Sequence, residues 1–161
     1  VSAINLIVKP DGWTIPESAA KVHGITTEIA REIGVPLVVV LAAFTNLRAN
    51  AQELIAHHIL FDDRLVRIAC CRAKRQPSHP GPDLHYCTMD AASPIMKLPP
   101  TAKMKAAGFD KHKPPKLEEA YQFFFNEPLV GAHDAMADMR GCARVYFHLK
   151  TLETAGEAQR L

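Results

Sequence analysis

Glu53-Leu54-Ile55-Ala56-His57-His58-Ile59-Leu60-Phe61-Asp62 is a short apolar run that ends in polar residues and leads into a second apolar stretch. Past the histidines, Phe61, Leu65 and Ile68 recur at helical spacing and fall on one helical face. The segment reads as a strand running into a helix, with Asp62 near the helix start. Such junctions are the building units of an α/β domain.

The same alternation continues on both sides. Ile4 to Val8 alternates and is rich in β-branched residues, and the turn signal Lys9-Pro10-Asp11-Gly12 follows, which predicts a strand leaving a sheet. Gly24 permits an unusual backbone, after which Thr26 can cap a helix carrying Glu28 in its first turn. Pro36 opens another helix, half-buried along Val40, Phe44 and Leu47. Leu84 to Met89 predicts a further strand. Residues 98–116 hold four prolines together with Lys103, Lys105, Lys111, Lys113 and Lys116, and are expected to form a basic, mobile lobe. Leu117 to Phe125 predicts a helix that Asn126-Glu127-Pro128 ends. Strands alternating with helices give an α/β domain of two or three layers.

Composition narrows the class. A length of 161 residues suits one domain with a real core. The 48% hydrophobic and 22% charged content is that of a soluble globular chain, and no apolar run approaches the ~18 residues of a membrane span. A net charge of +2 permits a nucleic-acid partner without arguing for one. Cys70, Cys71, Cys87 and Cys142 do not form a secreted disulfide framework, so a reducing, cytoplasmic setting is expected. A zinc site from Cys70, Cys71, His85 and Cys87 lacks the usual ligand spacing. No secretory signal is visible, and the start at Val1 points to processing or truncation.

A second acid-bearing junction lies near the C-terminal end, in Ala132-His133-Asp134-Ala135-Met136-Ala137-Asp138, ahead of a helix-like stretch from Met139 to Leu152. Five helical residues turn through about 500°, which would set His133 and Asp138 well apart around one helix. His133 is therefore expected before the helix, with Asp134 as N-cap. Asp138 then lies one turn inside, on the face of Cys142, Val145 and Leu149. A carboxylate aimed at the core edge needs a cation or a set of donors. Taken singly, Asp62 and Asp138 are helix-start acids that suit the dipole, and His57 and His58 are half-buried side chains. Taken together, carboxylates from two such junctions can hold Mg²⁺ or Mn²⁺.

In this order, His23-Gly24-Ile25-Thr26, Ala56-His57-His58 through Phe61-Asp62, Tyr121, and His133 through Asp138 resemble the DEDD-type 3′-to-5′ exonucleases of the histidine subclass. The resemblance runs over residues 4–150 and implies a ribonuclease H-like mixed sheet flanked by helices. It also implies two-metal hydrolysis of phosphodiester bonds at nucleic-acid 3′ ends, DNA favoured over RNA. By position, Asp62 and Asp138 match the metal-binding acids of the second and third motifs. His133 matches the general base that takes a proton from the attacking water. His23, Gly24, His58 and Phe61 match positions near the substrate, with His58 standing where the family commonly has Asn.

The family's first motif, an Asp-x-Glu on the central strand, has no counterpart, and Asp11 and Glu17 lie too far along to replace it. The resemblance then implies a single, N-terminally incomplete domain over 1–161, with about 20 to 30 residues upstream. It leaves a half-built site for two Mg²⁺ or Mn²⁺ ions and little or no activity in this stretch alone. The competing reading is a non-catalytic exonuclease-like module that keeps a nucleic-acid groove or a protein-contact surface. Retention of Asp62, His133 and Asp138 together weighs against it. The expected partner is single-stranded DNA or RNA with a 3′ end and not a membrane, with association with a polymerase or a second copy left open. If the Lys103 to Lys116 segment contacts phosphates, oligonucleotide affinity falls linearly with the logarithm of salt concentration. Salt-independent binding, measured by fluorescence anisotropy, would contradict that role.

Overall fold

The computed structural model describes residues 3–75 and 85–158. Their order is α1 (Glu17–His23), α2 (Thr27–Ile33), α3 (Leu37–Ala49), β1 (Leu54–Ala56), α4 (Ile59–Arg72), β2 (His85–Cys87), α5 (Thr88–Met96), α6 (Ala102–Ala106), α7 (Leu117–Phe125) and α8 (Ala135–Ala158). The arrangement is mixed α/β and mostly helical. Its sheet pairs β1 with β2 in parallel, in the register Leu54↔His85, Ile55↔Tyr86 and Ala56↔Cys87. Among the described residues no helix is long and apolar enough to cross a membrane.

Local chemistry accounts for most helix ends. The Thr26 hydroxyl accepts from the Ile29 N–H at 3.2 Å, as its position predicts. Gly24 at φ 76° closes α1, donating its N–H to the Ala20 carbonyl. Asn126 at φ 55° does the same for α7. At the start of α7 the Lys116 N–H donates to Glu119 Oε2 at 2.8 Å, and the same carboxylate holds Lys113. The Lys113 N–H also donates to the Leu98 carbonyl at 3.0 Å. The basic segment is thus tied back at one of its lysines and carries the short helix α6.

The core forms where α5 and α7 pack on α8. Ala92, Met96, Ala120, Val145 and Leu149 are buried together, flanked by Tyr86, Leu117, Tyr121, Phe124 and Phe125. Cys142, Val145 and Leu149 face inward as their spacing requires. The helix starts four residues earlier than Met139, because Asp134 caps it directly.

Two expectations are corrected, and a third segment shows which of its faces is buried. Ile4 to Val8 is not a strand: an isolated parallel bridge joins Val8 to Val35, where the Lys9 N–H meets the Val35 carbonyl and the Val35 N–H meets the Ile7 carbonyl, each at 2.8 Å. Pro10 and Pro36, which lack N–H groups, stop the pairing from extending. Gly34 allows this approach, since a Cβ there would lie 2.8 Å from the Lys9 nitrogen. The segment expected as a strand through Met89 turns helical at Thr88, and Leu84 lies outside the described residues. Phe61, Leu65 and Ile68 are exposed, while Ile59 and Cys70 of the same helix are buried and Asp63 and Val66 are half-buried. Among the described residues the two-stranded sheet offers α4 one narrow surface, and the second apolar face of the helix is left exposed. Leu65 and Ile68 instead line a cleft of about 1160 Å³ with Trp13, over whose ring the Arg72 guanidinium lies at 5.7 Å.

This division predicts the cost of truncating each face. Leu149→Ala should lose about 2–5 kcal/mol of unfolding free energy by urea titration. Leu65→Ala should stay within about 0.5 kcal/mol of the parent chain. Comparable losses at the two positions would contradict the assignment of faces.

Candidate functional site

Because β1 and β2 are parallel, both strands end on the same side, and the chain leaves them as His57-His58 and as Thr88. His58 takes a left-handed conformation at φ 79° and turns the backbone directly into α4, so Asp62 falls in the first turn. Thr88 begins α5 with no intervening loop. α8 packs against β1 and α5, bringing its first turns to this strand end.

His57 is the most constrained side chain here. Its Nδ1 lies 2.9 Å from Thr88 Oγ1 and its Nε2 lies 3.0 Å from the Pro115 carbonyl oxygen. A carbonyl cannot donate, so Nε2 carries the proton, and in the neutral ring Nδ1 accepts from the Thr88 hydroxyl. Burial holds the imidazole below its ordinary range, although the Pro115 carbonyl and the carboxylates of Glu118 and Asp90 favour the charged form. On the far side of Thr88, Cys142 Sγ approaches its hydroxyl at 3.6 Å. Burial chiefly raises the Cys142 thiol, and Asp62 and Cys87 add to that. Asp62 therefore acts electrostatically on a group one helical turn beyond Asp138. The Asp62 residue is exposed overall, yet partial burial of its carboxyl raises its pKa, with its own N–H and nearby His58 opposing.

At the start of α8, His133 adopts φ 74° ahead of the helix. Asp134 Oδ1 accepts from the N–H groups of Met136 and Ala137, each at 3.0 Å, which is the N-cap that the sequence predicts. Asp138 Oδ1 accepts from the His133 N–H at 3.2 Å. The donor expected for this carboxylate is thus supplied by the backbone of the residue five positions earlier. The His133 ring is exposed, with Nε2 3.8 Å from Glu118 Oε1.

The remaining candidate residues divide. The His58 ring stacks on Phe61 at 6.1 Å and 18°, an exposed pair beside Asp62. His23 and Gly24 are engaged locally: His23 Nδ1 accepts from the Ile25 N–H at 3.1 Å, and Gly24 closes α1. Among the described residues neither bonds to the strand-end group. Tyr121 is locked into α7, donating to Glu127 and accepting from Arg144, whose guanidinium lies 4.0 Å over the Phe125 ring. The roles of Thr88 and Glu118 escaped the sequence reading. Thr at the end of the strand-like His85-Tyr86-Cys87, a residue type common at helix starts, was the available signal for the first.

Asp62 and Asp138 are hard oxygen donors suited to Mg²⁺ or Mn²⁺. Among the described residues, however, no three His, Cys, Asp or Glu side chains gather into a metal-holding group. Asp138 is also turned toward an amide. These residues do not by themselves make the carboxylate set of a two-metal site.

Lowered in the folded state, the pKa of His57 ties stability to pH. Its contribution is complete above the ordinary imidazole value of ~6.5 and is lost as pH falls below it through the lowered native value. Urea midpoints measured between pH 7.5 and 5.5 should fall more for the parent chain than for His57→Gln. Equal slopes would contradict a buried neutral imidazole.

No family model matches this chain, and no curated protein shows significant similarity to it.

Proposed function

We infer that the chain carries the general-base portion of a 3′-to-5′ exonuclease that hydrolyses the terminal phosphodiester bond of single-stranded nucleic acid, DNA before RNA. The observation that carries this reading is the state of His133. It stands outside the α8 hydrogen-bond ladder, exposed, with its Nε2 3.8 Å from a carboxylate oxygen of Glu118. A neutral imidazole so placed can take the proton of an attacking water. Asp138 supports the loop by accepting the His133 N–H. The exposed His58–Phe61 pair, one turn or less from Asp62, offers a flat face on which a terminal base can stack.

In the same reading Asp62 and Asp138 contribute to binding Mg²⁺ or Mn²⁺, which stabilise the charge developing on the phosphate. The ribonuclease H-like fold belongs to this proposal as well. The parallel order of β1 and β2, with the candidate residues at their C-terminal ends, supports it. A second reading, an exonuclease-like module that binds without turnover, draws on the engagement of Asp138 with a backbone amide.

The test is digestion of a 3′-labelled single-stranded oligonucleotide in Mn²⁺ by the protein itself. His133→Ala should lower the rate roughly 10²- to 10⁴-fold with oligonucleotide affinity unchanged. An undiminished rate overturns the assignment of the base, and binding without any digestion by the parent favours the second reading.

A further inference from the structure

A chain of polar groups runs through the interior beneath the candidate site. Thr88 is fully buried, Cys142 is 8% exposed, and His57 is half-buried. The neutral ring fixed by the Pro115 carbonyl gives the chain a direction. His57 Nε2–H donates to Pro115, the Thr88 hydroxyl gives its one hydrogen to His57 Nδ1 at 2.9 Å in preference to the Ala56 carbonyl at 3.5 Å, and the Cys142 S–H is left to donate to the Thr88 oxygen. Each link belongs to a different part of the fold: the end of β1, the first residue of α5, the segment ahead of α7, and α8.

Two of these parts carry the groups assigned to chemistry. His57 is followed at once by His58 and the α4 turn that bears Asp62. Cys142 lies one helical turn beyond Asp138 on the same face of α8, and Asp138 in turn holds the His133 amide. We propose that the Cys142–Thr88–His57–Pro115 chain is a positioning device, which sets the first turns of α8, and through them His133 and Asp138, against the start of α4.

The role in catalysis rests on the exonuclease reading given above, whereas the positioning itself does not. An apolar contact would resist separation of these elements, but it would allow them to slide or rotate. A directed set of hydrogen bonds does not, since a shifted partner leaves a buried donor or acceptor without a mate. Thr88 is the decisive link because its hydroxyl both donates and accepts. Valine has nearly the same shape and does neither, and serine keeps both capacities.

The experiment compares Thr88→Val with Thr88→Ser. In the chain itself, ¹⁵N spectra should find His57 as the Nε2–H tautomer. Thr88→Val should shift the His133 amide resonance, and Thr88→Ser should return it toward the parent position. In digestion of a single-stranded oligonucleotide by the same protein, Thr88→Val should lower kcat by about tenfold or more with KM within about twofold, a misplacement effect. Thr88→Ser should recover most of the rate. An unmoved His133 amide and an unchanged kcat in Thr88→Val, even with a lower melting temperature, would reduce the chain to ordinary core packing and overturn the proposal. Full activity of His133→Ala would sink the exonuclease reading alone, and the amide shifts would still decide the positioning.

Discussion

The structure depends on a parallel pairing only three residues long, Leu54↔His85 through Ala56↔Cys87. Parallel strands end side by side, so this pairing makes His57 and Thr88 neighbours although 31 positions separate them in the chain. Two strands of this length do not hold together by themselves in water. What keeps them paired is the cover given by α8 and α5, whose buried Val145, Leu149, Ala92 and Met96 form the apolar core beside β2. Tyr86 packs on that core from the strand itself. The polar groups at the strand end are therefore held by an apolar layer that takes no part in chemistry.

A site founded on so narrow a sheet places unusual weight on its hydrogen bonds. In surroundings of low dielectric a satisfied polar network is stiff, and the same network with one member missing is costly. His57 illustrates both sides. Its two nitrogens are matched to one donor and one acceptor, which specifies the neutral tautomer, and burial keeps it neutral against the pull of Glu118 and Asp90. His133 shows the opposite treatment: it is exposed and outside the helix, with its Nε2 3.8 Å from Glu118 Oε1. Two histidines near one site thus divide into a fixed half-buried ring and an exposed one.

How far the sequence foretold this depended on the range of the forces involved. The Thr26 cap, the limits of α7, the strand at Leu54 to Ala56, and the placement of His133 ahead of an Asp134-capped helix were all legible, because each follows from residues within one or two turns of each other. The inward face of α8 was legible too, since Cys142, Val145 and Leu149 repeat at helical spacing on a long segment. The face of α4 was not. Phe61, Leu65 and Ile68 have the right period, but which apolar stripe meets the core depends on how much sheet lies beneath the helix. Ile4 to Val8 has strand composition, yet a strand needs a partner, and among the described residues it finds a single bridge to Val35, bounded by Pro10 and Pro36. The partners of His57 lie 31 and 58 positions away, a separation at which spacing carries no signal.

The end of the parallel pair is locked by a specific bond between His57 and Thr88, and the candidate site is built upon that lock. A double-mutant cycle on unfolding free energy, using His57→Phe and Thr88→Val, tests it most directly. The two substitutions should be strongly non-additive, with a coupling of about 0.5–3 kcal/mol, since either one alone removes the bond and strands its partner. Additivity within about 0.3 kcal/mol would contradict it, because the two side chains would then contribute to stability independently.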